Sequence, residues 1–224
     1  RVRGTKAGQF KDGIMQASRR EAEALVRSSI QTISNEARLK SFAALGDTIK
    51  GIEWVATLDT RTTVICRALD GLVWTVPDLK PVGHAKVFPG PTAHWNCRST
   101  QIPVLRSWAE LSGKPIKALD GQTMEAKLKA KLAAKGMSAD KIAMATANAR
   151  ASMDGQVSGS PDMEAWLKSK PDSFIKGVLG PTRAKMLAEG KITIADLTDQ
   201  NNRPLTIAEL QAAIDGGGFA VETE

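Results

Sequence analysis

The first fifty residues carry apolar positions at helical spacing. Between residues 14 and 45 they form one mostly apolar stripe, which consists of Leu25, Val26, Ser29, Ile30, Ile33 and Ala37. Charged side chains such as Arg27 and Lys40 lie on the other faces. This spacing is typical of an amphipathic α-helix. The pattern therefore predicts a helix over residues 14–45, and Gly46 fits its C-terminal stop.

The next sixty residues are patterned for short strands. Apolar, β-prone runs predict strands at 52–58, 72–76 and 100–105, and residues 62–69 predict a short helix or turn. Pro103 places the last strand at an edge or an end of the sheet, because proline donates no ladder hydrogen bond. Residues 77–98 hold four prolines and two glycines, which indicates an irregular loop.

After residue 110 the pattern becomes helical again. Residues 122–150 are rich in Ala, Lys and Met and predict two helices broken at Gly136, whereas 154–162 resembles a linker. Short helices are predicted at 163–168, 172–179, 181–188 and 207–214. Thr206, with Glu209 three residues later, predicts a capping box at the last of them.

Together these elements predict an α+β fold. It would have a small mixed or antiparallel sheet core, a long N-terminal helix and a helical C-terminal region. We expect four units: an N-terminal helical arm (1–50), a core that contains the cysteines and histidines (51–110), a Lys/Ala-rich helical insertion (111–150) and a small helical region (151–224). Because the sequence begins with Arg1 and no signal-peptide core follows, we interpret it as a fragment or a processed chain.

Charge and composition narrow the class of partner. The net charge is +7 and the pI about 9.5, which favours nucleic acid or an acidic partner. No stretch approaches the roughly 18 apolar residues of a membrane span, so no membrane partner is expected. The candidate contacts to DNA phosphates are Lys127, Lys129, Lys131 and Lys135. The same lysines also fit an ordinary solvated helix face or an arm that docks a partner.

Both cysteines and both histidines fall between residues 66 and 97. Thiolate and imidazole are the donors that zinc prefers, and the H-x-x-C spacing of His94 and Cys97 lets one loop present two ligands. Cys66 would supply a third ligand from a separate element. For the fourth, His84 is the first candidate, and Asp59, Asp70 or a water are others. The residues also fit packed thiols, a Cys66–Cys97 disulfide, or a catalytic pair of Cys97 and His94.

Four charged residues stand among apolar neighbours near this cluster: Asp59, Arg61, Asp70 and Arg98. Buried ions of opposite charge usually pair, because a lone buried charge is costly. We therefore expect a structural Asp–Arg network. The functional alternative is a phosphate-binding or acid/base site that uses Arg61 and Arg98.

These motifs resemble a known family. The run A-T-L-D-T-R-T-x-x-x-C-x-x-L-D-G, a Pro-rich loop and then H-x-N-C-R-S-T-x-x-P are similar to the phage Mu F-like head-morphogenesis proteins, the minor head proteins of tailed phages. S-N-E-A-R at residues 34–38 resembles the family's preceding helix. Segments between 151 and 212, such as V-L-G-P-T-R-A-K-M-L, resemble the C-terminal part of such proteins. The matching positions are Asp59, Arg61, Thr62, Cys66, Asp70, Gly71, His94, Asn96, Cys97, Arg98 and Ser99. Many members carry a further cysteine where this chain has Thr63, which leaves a partial zinc site here.

The resemblance implies a structural virion protein rather than an enzyme. Such a protein would be present in few copies in the head interior or at the portal vertex, after assembly in the host cytoplasm. Its partners would be the portal protein or the major capsid protein and the packaged double-stranded DNA. The alternative is an enzymatic or effector domain, nucleic-acid-processing or toxin-like, that uses Asp59, Arg61, His94 and Cys97.

Overall fold

The computed structural model describes two long stretches of the chain, residues 19–107 and 161–216. It also describes the short stretches 9–11, 14–16, 110–111, 133–134, 136, 150–153 and 155–157. The strands are β1 (Gln9–Lys11), β2 (Ile14–Gln16), β3 (Ile49–Val55), β4 (Val73–Thr75), β5 (Pro81–Val82), β6 (Thr100–Leu105), β7 (Arg150–Ser152) and β8 (Gly155–Val157). The α-helices are α1 (Arg19–Ala44), α2 (Val64–Leu69), α3 (Met163–Lys168), α4 (Asp172–Leu179), α5 (Pro181–Ala188) and α6 (Ile207–Asp215), and Ala195–Leu197 forms a 3-10 turn.

The central sheet has four strands in the order β5-β4-β3-β6, and each neighbouring pair is antiparallel. Ile52 of β3 lies opposite Trp74 on one side and Pro103 on the other. Pro103 thus sits in an edge strand, as its missing N–H requires. At Gly51 a Cβ atom would lie 2.7 Å from the Trp74 carbonyl oxygen, so only glycine lets β4 approach this closely. The predicted α+β class is confirmed.

One apolar core joins the sheet to the C-terminal helices. Trp54, Trp74 and Leu58 from the sheet region are fully buried in the same cluster as Leu167 of α3 and Leu210 of α6. The β7–β8 hairpin attaches beside it, because Met153 N–H donates to the Leu58 carbonyl at 2.9 Å. The C-terminal region therefore completes the core that covers the sheet. The capping box predicted at Thr206 and Glu209 is present.

The N-terminal helix differs from its prediction in two ways. It begins at Arg19 rather than near residue 14, because residues 9–16 contain the β1–β2 hairpin. Its apolar stripe also faces solvent: Val26, Ile30 and Ile33 are 56%, 61% and 68% exposed. The buried face of α1 is instead partly polar, with Ser28 and Asn35 buried and Leu39 and Phe42 packed on the core. Hydrogen bonds from Asn35 to the carbonyls of Pro91 and Ser99 hold this polar face in place.

The lysines proposed as DNA contacts are not placed. Lys127, Lys129, Lys131 and Lys135 lie outside the described residues, and so does most of the predicted pair of helices at 122–150. Among the residues that the structure describes, no helix is both long and apolar enough to cross a membrane.

Candidate metal centre

The first part of the site is the start of α2. Thr63 is the N-cap residue, and its hydroxyl accepts a hydrogen bond from the Cys66 N–H at 3.4 Å. Capping by threonine fixes where the helix begins. Cys66 therefore lies in the first helical turn, with only 2% of its surface exposed.

The second part is a loop of residues 91–98, which we call the ligand loop. Its turn is closed by a hydrogen bond from Cys97 N–H to the His94 carbonyl at 3.2 Å, and Asn96 has a φ of 58°. Asparagine tolerates this left-handed conformation better than most residues. The turn presents His94 and Cys97 to the same neighbour, the thiol of Cys66.

The polar face of α1 holds the ligand loop at both ends. The Asn35 side chain, fully buried, donates to the carbonyl of Pro91 at 2.7 Å and to that of Ser99 at 3.1 Å. The Ser28 hydroxyl accepts from Asn96 N–H at 2.8 Å. Buried backbone groups need such partners, because an unpaired one costs about 1–3 kcal/mol. Satisfying this loop explains why α1 turns polar residues inward.

Three ligand atoms converge where the two parts meet. Cys66 Sγ lies 3.1 Å from His94 Nε2 and 3.7 Å from Cys97 Sγ, and the three atoms lie within 4.8 Å of one another. In a tetrahedral zinc site with Zn–S bonds of about 2.3 Å, two sulfurs stand about 3.8 Å apart. The cluster thus has close to the spacing that one zinc ion needs.

The orientation of His94 also suits a metal ligand. Its Nδ1 lies 2.7 Å from the Trp95 carbonyl oxygen, to which it donates when protonated. That hydrogen bond leaves the lone pair of Nε2 directed at the cysteines, which is the usual arrangement of a histidine that ligates zinc.

The Thr63 hydroxyl borders the cluster. Its hydroxyl oxygen lies 2.8 Å from His94 Nε2 and caps the helix that carries Cys66. A cavity of about 20 Å³ borders Thr63, Cys66, His94 and Arg98. A single water needs about 10–15 Å³ of such space. The site therefore offers three protein ligands, a hydroxyl and room for one small ligand.

The two thiols differ in acidity. A hydrogen bond from Cys97 lowers the pKa of Cys66 to about 7 despite its burial. The same contact, together with burial, raises the pKa of Cys97 well above its ordinary value. Cys66 is therefore the thiol that ionises first.

His84 is not part of the cluster. Its Nε2 lies 2.8 Å from the Val73 carbonyl oxygen, its Nδ1 accepts from Lys86 N–H at 3.1 Å, and its ring packs edge-on against Trp74. Among the described residues the metal-capable group consists of Cys66, His94 and Cys97. The structure thus does not bring His84 to the cluster as a fourth ligand.

Asp59 and Arg98 form the ion pair expected from the charge pattern. Arg98 donates to both carboxylate oxygens of Asp59, at 2.5 and 2.8 Å, and Asp59 also accepts from the backbone N–H groups of Arg61 and Thr62. Burial raises the pKa of Asp59, but the hydrogen bonds from Arg98 and Thr62 outweigh it and bring the pKa to about 2. The pair fixes the ligand loop to the segment before α2.

The other two members of the predicted network have separate positions. Arg61 contributes its backbone N–H to Asp59, and its side chain is exposed. The Asp70 carboxylate accepts from Ala56 N–H and from Met163 N–H, each at 2.7 Å, and so connects β3 to the start of α3. The four residues therefore support the fold at two places.

Sequence reasoning missed two buried cations. The Lys86 ammonium donates to the Thr198 carbonyl and hydroxyl at 2.6 and 2.7 Å. Arg67 donates to the carbonyl oxygens of Thr60 and Val178 at 2.9 and 3.2 Å. Burial lowers the pKa of both groups. Because their acceptors are mostly backbone oxygens distant in sequence, no local motif indicates them.

One family model matches the part of the chain that contains the candidate metal centre. Residues 3–102 match the family model described as "Phage Mu protein F like protein". The matched segment covers less than half of the chain but includes α1, α2 and the ligand loop. It confirms the resemblance drawn from the motifs. No curated protein and no solved structure matches the chain.

Proposed function

We propose, on the premise that residues 3–102 carry the pattern of the Phage Mu protein F like family, that this chain is a minor head protein of a tailed phage. It would act in head morphogenesis and in DNA packaging or ejection, at the portal vertex or the inner capsid. The family match is the observation that carries the proposal. The portal or major capsid protein and packaged double-stranded DNA would be its partners. It would lie in the virion, after assembly in the host cytoplasm.

A structural role also suits the site chemistry. Cys66 and Cys97 are nearly inaccessible, at 2% and 4% exposed, and the Asp59 carboxylate is fully engaged by Arg98 and Thr62. An acid/base or nucleophilic site needs such groups to reach a substrate. These contacts therefore favour a fold-supporting role over the effector alternative built on Asp59, Arg61, His94 and Cys97.

We further propose that Cys66, His94 and Cys97 hold a structural zinc ion. The support is their spacing and the orientation of His94 through the Trp95 carbonyl. The metal would tie the ligand loop, which is rich in polar contacts, to α2. Coupling of metal binding to loop order is a common use of such sites in small folds.

DNA contact is proposed for the basic part of the chain. The net charge of +7 would offset some of the phosphate charge inside a filled head. The lysines Lys127, Lys129, Lys131 and Lys135 remain the candidates. A salt titration of DNA affinity would show a steep slope if several phosphates are contacted, and a flat response would count against this role.

The head function can be tested genetically. In the phage that encodes the chain, a stop codon in its gene should leave capsid shells visible by electron microscopy but sharply lower the infectious titre. Complementation by the wild-type gene should restore the titre. Complementation by His94→Ala should fail if the centre supports the fold, and the variant protein should melt at a lower temperature. A normal titre without the chain would contradict the proposal, and a stable but inactive His94→Ala protein would favour the effector alternative.

A further inference from the structure

In the part of the chain that the structure describes, the helix α1 presents an apolar stripe to solvent. Val26, Ile30, Ile33 and Ala37 are separated by four, three and four residues, and all are exposed. At 3.6 residues per turn they lie on one side of the helix, opposite the buried face that contains Ser28 and Asn35. This spacing is that of the a and d positions of a coiled-coil seam. A large exposed apolar stripe of this kind marks an interaction surface.

The seam ends in charges of opposite sign. Continuing the same spacing outward reaches Glu23 at one end and Lys40 at the other. Within the helix, Glu23 pairs with Arg27 and Lys40 pairs with Glu36, at 3.7 Å in both cases. Both charges therefore lie in line with the apolar stripe and are exposed.

This arrangement is complementary to itself in one orientation. If two copies of α1 pack antiparallel, Ile30 faces Ile33 of the partner subunit and Val26 faces Ala37 of the partner subunit. In the same register Glu23 faces Lys40 of the partner subunit at each end. A parallel pair would instead place Glu23 against Glu23 and Lys40 against Lys40, which like-charge repulsion disfavours. The charges thus favour pairing of α1 with α1 of a second copy in antiparallel orientation.

The surroundings of the stripe are compatible with a partner helix. Trp95 at the tip of the ligand loop is 67% exposed, and a groove of about 480 Å³ between this loop and α1 is lined by Ser29, Ile33 and Trp95 among others. α1 has 26 residues and is therefore about 39 Å long, enough for several heptads. A second helix on the stripe would also cover part of the Trp95 ring.

We propose that this chain self-associates through α1, which forms an antiparallel helix pair with α1 of a second copy along Val26, Ile30, Ile33 and Ala37. The apolar seam is short, so the pair is a weak, concentration-dependent dimer. High local concentration inside an assembly would favour it.

The first test measures mass by sedimentation velocity over a concentration series of the full chain. The wild type should shift from monomer to dimer as concentration rises. The double variant Ile30→Glu/Ile33→Glu should remain monomeric at every concentration. Its circular dichroism and unfolding midpoint should match the wild type, because both side chains are exposed in the monomer. A wild type that stays monomeric, or a double variant that dimerises equally well, would overturn the proposal.

The second test uses charge reversal to read the orientation. Glu23→Lys and Lys40→Glu should each weaken the dimer about three- to thirtyfold, because two exposed ion pairs of about 0.3–1 kcal/mol each are lost. An equimolar mixture of the two variants should regain wild-type affinity, and so should the double variant Glu23→Lys/Lys40→Glu. The loss of affinity in each single variant is specific to antiparallel pairing of α1, because a parallel pair would keep its two like-charge contacts in either single variant. The two rescues then show that Glu23 and Lys40 form their ion pairs between the two copies. Absence of rescue would refute this register.

Discussion

The buried side chain of Asn35 gives the sharpest test of how α1 supports the site. Replacing it with alanine removes two donated hydrogen bonds, to Pro91 O at 2.7 Å and Ser99 O at 3.1 Å. Each carbonyl keeps a second donor, from Gln101 at 3.1 Å and from Gln31 at 2.9 Å. Each lost hydrogen bond should therefore lower the free energy of unfolding by about 1 kcal/mol, which is less than the full cost of a buried carbonyl without any donor. Together with the small cavity left behind, Asn35→Ala should lower the free energy of unfolding by about 2–4 kcal/mol.

Denaturant unfolding followed by tryptophan fluorescence provides the assay, since Trp54 and Trp74 are fully buried. Ser34→Ala, at an exposed position on the same helix, should stay within about 0.5 kcal/mol of the wild type. Asn35→Asp should cost at least as much as Asn35→Ala at neutral pH, because a carboxylate would face two carbonyl oxygens. Its deficit should shrink in mild acid, where a protonated carboxyl can donate again. An Asn35→Ala protein within about 0.5 kcal/mol of the wild type would refute this account of α1.

Three further predictions concern the groups around the site. Zinc at a hundredfold excess over its Kd should add about 2.7 kcal/mol to the free energy of unfolding and raise the thermal midpoint by about 5–10 °C. Cys66→Ser should abolish this shift, and an equal shift in that variant would contradict the proposed zinc centre. Because the pKa of Asp59 is lowered to about 2, its pairing stabilises the fold above about pH 4 and is lost as pH falls toward 2. Asp59→Asn should therefore flatten the acid limb of a stability–pH profile, and an unchanged limb would exclude this carboxylate as its cause. Lys86→Met should cost about 2–4 kcal/mol in denaturant unfolding, since it leaves buried acceptors unpaired. The exposed Lys80→Met should be near neutral, and equal costs would contradict the burial argument.

Sequence patterns predicted three of the four strands of the central sheet, because the signals there are local. The prediction was wrong at β5, which lies in the stretch expected to be an irregular loop, and β3 begins at Ile49 rather than at residue 52. The strand of residues 100–105 was expected from its β-prone run, and Pro103 indicated an edge position that the structure confirms. The Asp59–Arg98 pair was likewise expected, since opposite charges among apolar residues seldom remain unpaired. Both inferences needed only neighbouring residues and a general cost of burial.

The orientation of α1 could not be predicted from its periodicity. The apolar stripe correctly indicated a helix, but which face is buried depends on partners distant in sequence. Asn35 faces inward because it binds carbonyl groups of Pro91 and Ser99, more than fifty residues away. The same reason explains why His84 was a poor choice of ligand: a carbonyl in β4 and the ring of Trp74 hold it elsewhere. Contacts between residues distant in sequence cannot be predicted from the local spacing of apolar and polar positions.

The central proposal is that this chain is a minor component of a phage head, and counting it in particles tests that proposal most directly. Quantitative mass spectrometry of purified particles would compare its copy number with those of the major capsid and portal proteins. The account predicts a handful to a few tens of copies per particle, retained through gradient purification. Absence of the chain from complete, infectious particles would contradict it.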